Sequence, residues 1–175
     1  MPLAWQVYQR RSVMLRFEQY APLLHYTAQL IPRGTSVILL GDRGFRDTRL
    51  MTLAHRFRWH FRLRLAENET IFADSAAPQR LDTWILTPHH PSFLQNIRLT
   101  ATRYGPVNIA LAWDGDPTHD PWRIVTDQPA RLQTLADYAL RMGIDLGFLD
   151  DKSAGFQVQD TELILIKDNK WYISF

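Results

Sequence analysis

The sequence predicts an α/β fold, and three consecutive stretches carry that prediction. Residues 35–40 read Thr-Ser-Val-Ile-Leu-Leu, a branched and aliphatic run typical of a strand buried on both faces. A helical pattern follows from about Asp47 to Phe57, and Trp59 to Leu65 then alternates apolar with basic residues. This strand–helix–strand order predicts a βαβ unit, in which the two strands are parallel.

Two elements are predicted before this unit. Leu3 to Tyr8 alternates apolar and polar residues and predicts a short strand. Apolar residues at helical spacing between about Ser12 and Leu30 predict a helix, which Pro22 could kink or split. The turn sequence Pro32-Arg33-Gly34 then ends the helix before the buried strand.

After the βαβ unit the pattern changes to an antiparallel β region, which extends from Ala66 to about Pro129. Short alternating runs are separated by turns that carry proline or glycine: Asp82 to Thr87, Ile97 to Tyr104, Val107 to Trp113 and Trp122 to Thr126. Ala130 to Phe148 has helical spacing again, and Leu163 to Phe175 could form a strand.

Composition limits the classes of protein to consider. The chain has no cysteine, which excludes a disulfide scaffold and a thiolate metal site. No apolar run approaches the roughly 18 residues of a membrane helix, and the N-terminus lacks the pattern of a signal peptide. We therefore expect a cytoplasmic protein without a membrane partner.

The basic residues are concentrated in one part of the chain. Of 20 basic residues 17 are arginine, and seven of these lie between Arg43 and Arg64, where Asp47 is the one acid. The flat guanidinium fork matches phosphate oxygens, so this run is suited to a nucleic-acid backbone. The alternative is a solvated helix face followed by an outward-facing strand edge.

Asp42 ends the predicted buried strand, the position where α/β sheets place ligand-facing groups. Gly41 and Gly44 on either side allow a sharp turn, and a carboxylate beside arginines is suited to a divalent cation that handles phosphate. The alternative is an aspartate that caps the following helix.

A second polar cluster lies in the predicted helix near the C-terminus. Spacings of three, four and seven residues place its members on roughly one helical face: Tyr138, Arg141, Asp145 and Lys152. A carboxylate flanked by Arg and Lys could hold a metal and grip phosphates, but the same pattern describes an ordinary ladder of ion pairs.

Together these motifs resemble the DDE transposases of bacterial insertion sequences. The sequence Gly41-Asp42-Arg43-Gly44-Phe45 after an apolar strand is similar to the second-aspartate motif of that family. The helical cluster, which continues into Lys152-Ser153-x-Gly155-Phe156, is similar to the Tyr-Arg-Glu-Lys signature of the insertion-sequence-four branch. A β-rich insertion between the two motifs is also typical of the branch, and the resemblance covers roughly Pro2 to Glu162.

The resemblance implies an incomplete RNase H-like core, in which carboxylates hold Mg²⁺ (or Mn²⁺) for DNA strand cleavage and transfer. By position, Asp42 and Asp145 would be catalytic metal ligands. The resemblance also implies that Tyr138, Arg141 and Lys152 hold the DNA strand near the cut, with Arg43 beside them. Three tryptophans, Trp59, Trp84 and Trp113, could stack on an extruded base, although a core position is the alternative for each.

Two departures from the family bear on activity. Residues 1–41 contain no aspartate, so the first catalytic aspartate and the first strands of the sheet are expected upstream of this chain. Asp145 stands where the family has glutamate, and a carboxylate withdrawn by about 1 Å can cost on the order of 100-fold in rate. The strand predicted at Leu3 is therefore expected to have lost the neighbour that pairs it to the strand ending in Asp42, and independent transposition is not expected.

The predicted organisation has four parts: the first part of the core (1–65), the β-rich insertion (66–130), the signature helix (131–162) and a divergent tail (163–175). The main hypothesis is a transposase-derived protein that binds DNA at transposon ends, near the nucleoid. The alternative is a non-catalytic remnant that binds DNA or transposase and acts as an inhibitor. A homodimer or a mixed assembly with an intact transposase would follow from either.

Overall fold

The computed structural model describes residues 16–73, 77–153, 163–167 and 170–174, with side chains for all of these except 143–153 and 163–167. The described part is a mixed α/β structure of three helices and one large sheet. The helices are α1 (Phe17–Leu30), α2 (Thr48–Arg56) and α3 (Leu132–Ser153). The strands are β1 (Ser36–Gly41), β2 (His60–Arg64), β3 (Thr70–Phe72), β4 (Gln79–Arg80), β5 (Ser92–Leu99), β6 (Tyr104–Ala112), β7 (Trp122–Thr126), β8 (Leu163–Lys167) and β9 (Lys170–Ser174).

All nine strands belong to one sheet, in the order β4-β3-β5-β6-β7-β2-β1-β9-β8. β1 is parallel to β2, with Ile38 beside His60, which confirms the predicted βαβ unit. β1 is also parallel to β9, and the remaining pairs, including β8 with β9, are antiparallel. Parallel pairing is thus confined to the three strands around β1.

Helices cover both faces of the sheet at β1. Val37 and Leu39 lie in the main core with α1 and α2, whereas Ile38 and Leu40 lie in a second core against α3. Because successive side chains of a strand point to opposite faces, the covered part of β1 must be apolar, as residues 37–40 are. From Val37 to Gly41 the strand is buried, which confirms the strand predicted to be covered on both sides.

The predicted helices are present with shifted ends. α1 runs through Pro22 as one helix, so the proline does not split it. α2 begins after Asp47, whose carboxylate accepts the Arg49 N–H at 2.8 Å and so caps the first turn. α3 is longer than predicted and extends to Ser153. Among the described residues, no helix is both long enough and apolar enough to cross a membrane.

The β-rich region contains the predicted strands 107–113 and 122–126, seen as β6 and β7, but two other predictions need correction. Residues 81–83 form a 3₁₀ turn where the sequence predicts a strand over Asp82 to Thr87. The strand predicted from Ile97 to Tyr104 is divided by a turn, because β5 ends at Leu99 and β6 begins at Tyr104. β7 pairs with β2, so this region continues the central sheet.

The C-terminal segment provides a neighbour for β1 on the side opposite β2. β8 and β9 form an antiparallel pair, and β9 lies along the side of β1 that β2 leaves open, with Leu40 beside Ser174. Leu163 to Phe175 was predicted as a single strand within a divergent tail. It contains two strands, and these extend the sheet on that side. The strand predicted at Leu3 to Tyr8 lies outside the described residues.

Candidate functional site

Asp42 lies at the carboxyl end of β1, immediately before a 3₁₀ turn over Arg43–Phe45. One oxygen of its carboxylate, Oδ1, accepts the Gly44 N–H at 2.7 Å, so the capping alternative is observed here. The side chain is nevertheless 47% exposed, and its second oxygen, Oδ2, faces Arg141. A Cβ atom at Gly41 would lie 2.8 Å from Leu63, which explains why the sharp turn begins with glycine.

Arg141 brings the signature helix α3 to this carboxylate. Its guanidinium Nη2 lies 3.7 Å from Asp42 Oδ2, and the arginine side chain is only 14% exposed. Asp145 follows one helical turn later on α3, but its side chain, like that of Lys152, lies outside the described side chains. The two sequence motifs therefore meet through Arg141, and the positions of the Asp145 and Lys152 side chains stay predictions.

Tyr138 is placed differently from its predicted role at the DNA. It is fully buried, and its ring packs edge-on against Trp122 of β7 with ring centroids 5.2 Å apart. This contact anchors α3 on the sheet one turn before Arg141. The geometry thus gives Tyr138 a position that supports Arg141, and its direct contact with DNA stays a prediction.

Arg43 extends from the 3₁₀ turn to the loop between β6 and β7. Its Nη2 atom lies 2.7 Å from Asp120 Oδ2, with both side chains about half exposed. Arg64, at the end of β2, donates to the backbone carbonyl oxygen of the same Asp120 at 3.0 Å. Two arginines of the basic run therefore hold this loop beside the Asp42 turn.

A groove of about 760 Å³ opens beside this loop. Trp113 lies in its wall, partly exposed, and its indole N–H donates to the Asp116 carbonyl at 3.0 Å. The groove combines aromatic, acidic and basic groups: Arg64, His89, Pro91, Ala112, Trp113, Asp114, Thr118, His119, Asp120, Trp122 and Met142. Trp59 is buried and Trp84 packs against the main core, so of the three tryptophans considered Trp113 is the one that lines this groove.

A charged pair closes one side of the groove. His119 Nδ1 lies 2.6 Å from Asp114 Oδ2, and both side chains are more than half exposed. The hydrogen bond from His119 lowers the pKa of the Asp114 carboxyl, and the same bond raises the pKa of His119 above its usual 6.5. The acidic loop from Trp113 to Asp120 is therefore a hairpin connection held by local contacts.

The arginine run does not form one continuous basic surface. Arg49 pairs with Asp47 and Glu18, and Arg46 lies 3.7 Å from Glu69. Arg62 is buried on β2, which lies between β1 and β7, so the outward-facing strand edge considered for this stretch is wrong. Among the arginines from 43 to 64, those nearest Asp42 remain the best placed for a ligand.

The sequence patterns missed a buried polar network behind the site. Arg62 donates to Asp137 at 3.1 Å, to Gln128 at 2.6 Å and to Thr126 at 2.7 Å, while the Tyr172 hydroxyl donates to Asp137 at 3.3 Å. Burial lowers the pKa of Arg62, and the charge of Asp137 opposes that shift. The available signal was an arginine within a strand of the predicted βαβ unit, because an arginine needs a buried partner if its strand is covered.

The described carboxylates near Asp42 do not assemble a set of metal ligands. Asp42 has one oxygen occupied by a backbone N–H and the other facing a guanidinium, and Asp120 is held by Arg43. Within the described side chains, no group of three His, Asp or Glu residues could hold a metal ion. Of the two predicted metal ligands, Asp42 and Asp145, only Asp42 has a described side chain.

Comparison of the chain with protein-family models, curated proteins and solved structures found no match. The likeness to transposases therefore depends on the two motifs and on where the structure places them.

Proposed function

We propose that this protein is derived from a DDE transposase with an RNase H-like core, and that it binds DNA without cutting it unaided. The observation that supports this proposal best is the approach of Arg141 to Asp42, 3.7 Å apart. These residues belong to motifs that are far apart in the sequence, and the likeness to the family required them to converge. A chance match of two unrelated motifs would not require that contact.

The order of strands agrees with the proposal. An RNase H-like core needs a parallel strand on each side of the strand that ends in the second aspartate, and β2 and β9 flank β1 in that way. The helix with the Tyr-Arg-Glu-Lys-like signature covers the face of the sheet formed by Ile38 and Leu40. Both features also occur in other α/β proteins, so they support the family assignment less strongly than Arg141 does.

The proposed DNA contacts lie along the carboxyl end of β1. Arg43 and Arg64 both contact Asp120, and a backbone phosphate that displaces Asp120 could bind their guanidinium groups, since arginine binds phosphate as well as carboxylate. Trp113 in the adjacent groove offers a ring on which a base could stack. Phosphate contacts give affinity without sequence preference, so we expect mainly non-specific binding.

Cleavage by the protein alone is not part of the proposal. In the family the reaction uses divalent ions, which activate the attacking oxygen and stabilise the leaving one. Here the described donors supply Asp42 alone, and that carboxylate is already shared between Gly44 and Arg141. We therefore expect Arg141 to hold the DNA strand and to orient the Asp42 turn, and we expect no cleavage by the protein alone.

The two halves of the proposal are tested separately. Supercoiled plasmid incubated with purified protein and Mg²⁺ or Mn²⁺ should stay intact, and nicking that Asp42→Ala abolishes would show that the protein cleaves DNA. Fluorescence anisotropy with a labelled duplex should show binding that weakens steeply as salt rises. Binding that is absent at low salt, or insensitive to salt, would contradict the DNA-binding half.

A further inference from the structure

Basic residues without an acidic partner are concentrated at the end of the sheet that lies opposite the Asp42 turn. β1, β2 and β9 begin at this end, and the antiparallel β7 ends there. The basic residues belong to four separate chain connections: Arg33 before β1, Arg56 and Arg58 before β2, Arg131 before α3 and Lys170 at the start of β9. The four arginines are exposed and Lys170 is partly exposed. Within the described side chains, none of the five forms an ion pair.

The sheet register brings these residues together. The strands β9, β1, β2 and β7 are consecutive neighbours. Lys170 pairs with Ser36, and Arg58 is level with the same serine because Ile38 and His60, two residues further along each strand, are partners. Neighbouring strands are about 4.8 Å apart, so the four strand ends span roughly 15 Å. The five basic residues therefore form one patch, here called the amino-end surface.

The described acids give this surface little compensating charge. Asp127 follows β7 at this end, but its side chain is only 10% exposed. Its two oxygens are occupied by the Phe61 N–H at 3.1 Å and by His60 Nδ1 at 2.6 Å. Accessible acids instead surround the Asp42 turn and the neighbouring β6–β7 loop: Glu18, Asp42, Asp114, Asp116 and Asp120. The positive potential is therefore stronger at the amino-end surface than at the Asp42 turn.

Arg58 has a backbone conformation that favours glycine. Its φ is 60°, and it follows Phe57, the residue that ends α2. The Arg58 N–H donates to the His55 carbonyl at 3.0 Å, and the Trp59 N–H donates to the Ala54 carbonyl at 2.9 Å. Glycine is the usual residue at this position of a helix end, because a side chain is strained there. The exposed arginine side chain does not relieve that strain, which points to a use outside the fold.

We propose that the amino-end surface binds a nucleic-acid phosphate backbone, separately from the Asp42 region. Four of its five cations are arginines, whose planar fork matches phosphate oxygens. Arg56 and Arg58 end the basic run of the sequence, yet they lie at the other end of the sheet from Arg43. This surface requires neither the Asp42 carboxylate nor the likeness to transposases, so it goes beyond the function proposed above.

An anionic membrane is the competing partner for a basic surface. Leu30 and Leu132 are exposed and lie close in sequence to Arg33 and Arg131. However, α1 packs in the main core and α3 in the second core, so the two leucines belong to opposite faces of the sheet. They do not form the single apolar face that inserts into a lipid interface. A phosphate backbone needs no such face.

Arg58→Gly separates binding from folding. The substitution removes one charge and relieves the left-handed backbone, so the midpoint of thermal unfolding should not fall. In anisotropy titrations with a labelled duplex, the slope of log K against log salt should decrease by about one unit, the contribution of one phosphate contact. Arg131→Met should have the same effect, and both changes together should decrease the slope by about two units. Arg58→Lys keeps the charge and should leave the slope unchanged.

Arg80→Met is the matched control, because it removes an exposed arginine on β4 at the far edge of the sheet. If it decreases the slope as much as Arg131→Met does, only net charge matters and the amino-end surface is not a binding site. Arg141→Met tests the Asp42 region apart from this surface. An effect of Arg141→Met without any effect of Arg58→Gly or Arg131→Met would overturn the present proposal, and the reverse would overturn binding at Asp42 alone.

A crosslinking experiment locates the nucleic acid directly, since the chain has no cysteine that would compete for the label. Gln29→Cys, exposed in the last turn of α1, places a photoreactive group beside the amino-end surface. Gln79→Cys places the same group on the exposed β4. The first variant should crosslink to the duplex and the second should not. The absence of a crosslink from Gln29→Cys in protein that binds the duplex would contradict the proposed surface.

Sedimentation with vesicles of phosphatidylserine and phosphatidylcholine in equal parts tests the competing partner. The protein should bind the duplex more tightly than it binds these vesicles, and Arg58→Gly should weaken the binding to the duplex. Capture by the vesicles of protein that does not bind the duplex would assign the surface to lipid and overturn the proposal.

Discussion

Arg141 of α3 faces Asp42 at the end of β1, with Nη2 and Oδ2 3.7 Å apart, although one side chain is 14% exposed and the other 47%. The separation is long for a hydrogen bond but close enough for the charges to interact. Each residue therefore modifies what the other can do. Asp42 reduces the positive charge that Arg141 can offer a phosphate, and Arg141 disfavours a cation at Asp42.

This relation predicts opposite effects of two substitutions on DNA binding. Arg141→Met should weaken binding and reduce the slope of log K against log salt by about one unit, the contribution of one phosphate contact. Asp42→Asn should strengthen binding by about 2- to 5-fold, in the range of an exposed charge pair. Anisotropy titrations at several salt concentrations measure both effects.

The matched control for these variants is Arg80→Met. Arg80 lies on β4, at the far edge of the sheet, and is an exposed arginine that pairs with Asp82. Arg80→Met removes the same charge from the protein without changing the proposed site. If Arg80→Met and Arg141→Met reduce binding equally, the DNA does not contact the Asp42 region specifically.

Asp120 is predicted to restrain the proposed DNA site. Its carboxylate holds Arg43 at 2.7 Å, where a phosphate would otherwise bind. Asp120→Asn should therefore increase DNA affinity more than Asp116→Asn does. The second substitution removes an equal charge from the same loop, but the Asp116 carboxylate accepts its hydrogen bonds from Thr118 and not from an arginine. DNA titrations of the two variants in parallel measure this difference. Equal increases in affinity would show that only the net charge of the protein matters and that Asp120 does not restrain the site.

The sequence was sufficient to predict the βαβ unit because its pattern is determined by local spacing. β1 is apolar from Val37 onward since both of its faces are covered there, and α2 begins after Asp47, a residue type that caps helices. The signature helix was predicted for the same reason. Each of these signals is contained within about a dozen neighbouring residues.

Long-range pairing accounts for what could not be predicted. Nothing near Leu163 in the sequence indicates that β9 pairs with β1, so the sequence predicts only a divergent tail for the C-terminal segment. Arg62 was counted with the basic run because its buried partner, Asp137, lies on α3. The motif predicts that Tyr138 contacts DNA, whereas in the structure its ring packs against Trp122 of β7, which lies outside the motif in the sequence.

The buried pair of Arg62 and Asp137 gives a prediction about stability. Their side chains are 4% and 1% exposed, so removal of one partner leaves an uncompensated charge in the core. Asp137→Ala should lower the free energy of unfolding by about 3–5 kcal/mol. Arg62→Met combined with Asp137→Leu should recover much of that loss, since an apolar pair needs no compensation.

Urea denaturation measures these changes, and Asp82→Ala is the control. Asp82 pairs with an arginine as Asp137 does, but its partner Arg80 is 56% exposed, so the loss should be small. If Asp137→Ala is tolerated as well as Asp82→Ala, the network does not stabilise the core as described.

The pair of His119 and Asp114 predicts a pH response of the groove. The pKa of His119 is raised and that of Asp114 lowered by their hydrogen bond, so both are charged between those two values. Protonated His119 stabilises the folded loop fully below the unfolded pKa of this residue, and that stabilisation is lost as pH rises through the raised pKa. Ionised Asp114 also stabilises the folded loop, and that stabilisation is lost as pH falls through the lowered pKa. The loop should therefore be held most firmly between pH 3.8 and 6.5, the ordinary pKa values of the two groups, and should loosen as the pH rises through the raised pKa of His119.

An NMR titration of the His119 ring measures this directly. Its pKa should lie above the usual 6.5, and Asp114→Asn should return it towards that value, because the hydrogen bond to the carboxylate is the largest cause of the shift. Asp116→Asn should have a smaller effect, since Asp116 acts on His119 through its charge alone and more weakly. A His119 pKa that does not respond to Asp114→Asn would show that the pair does not hold the loop in solution.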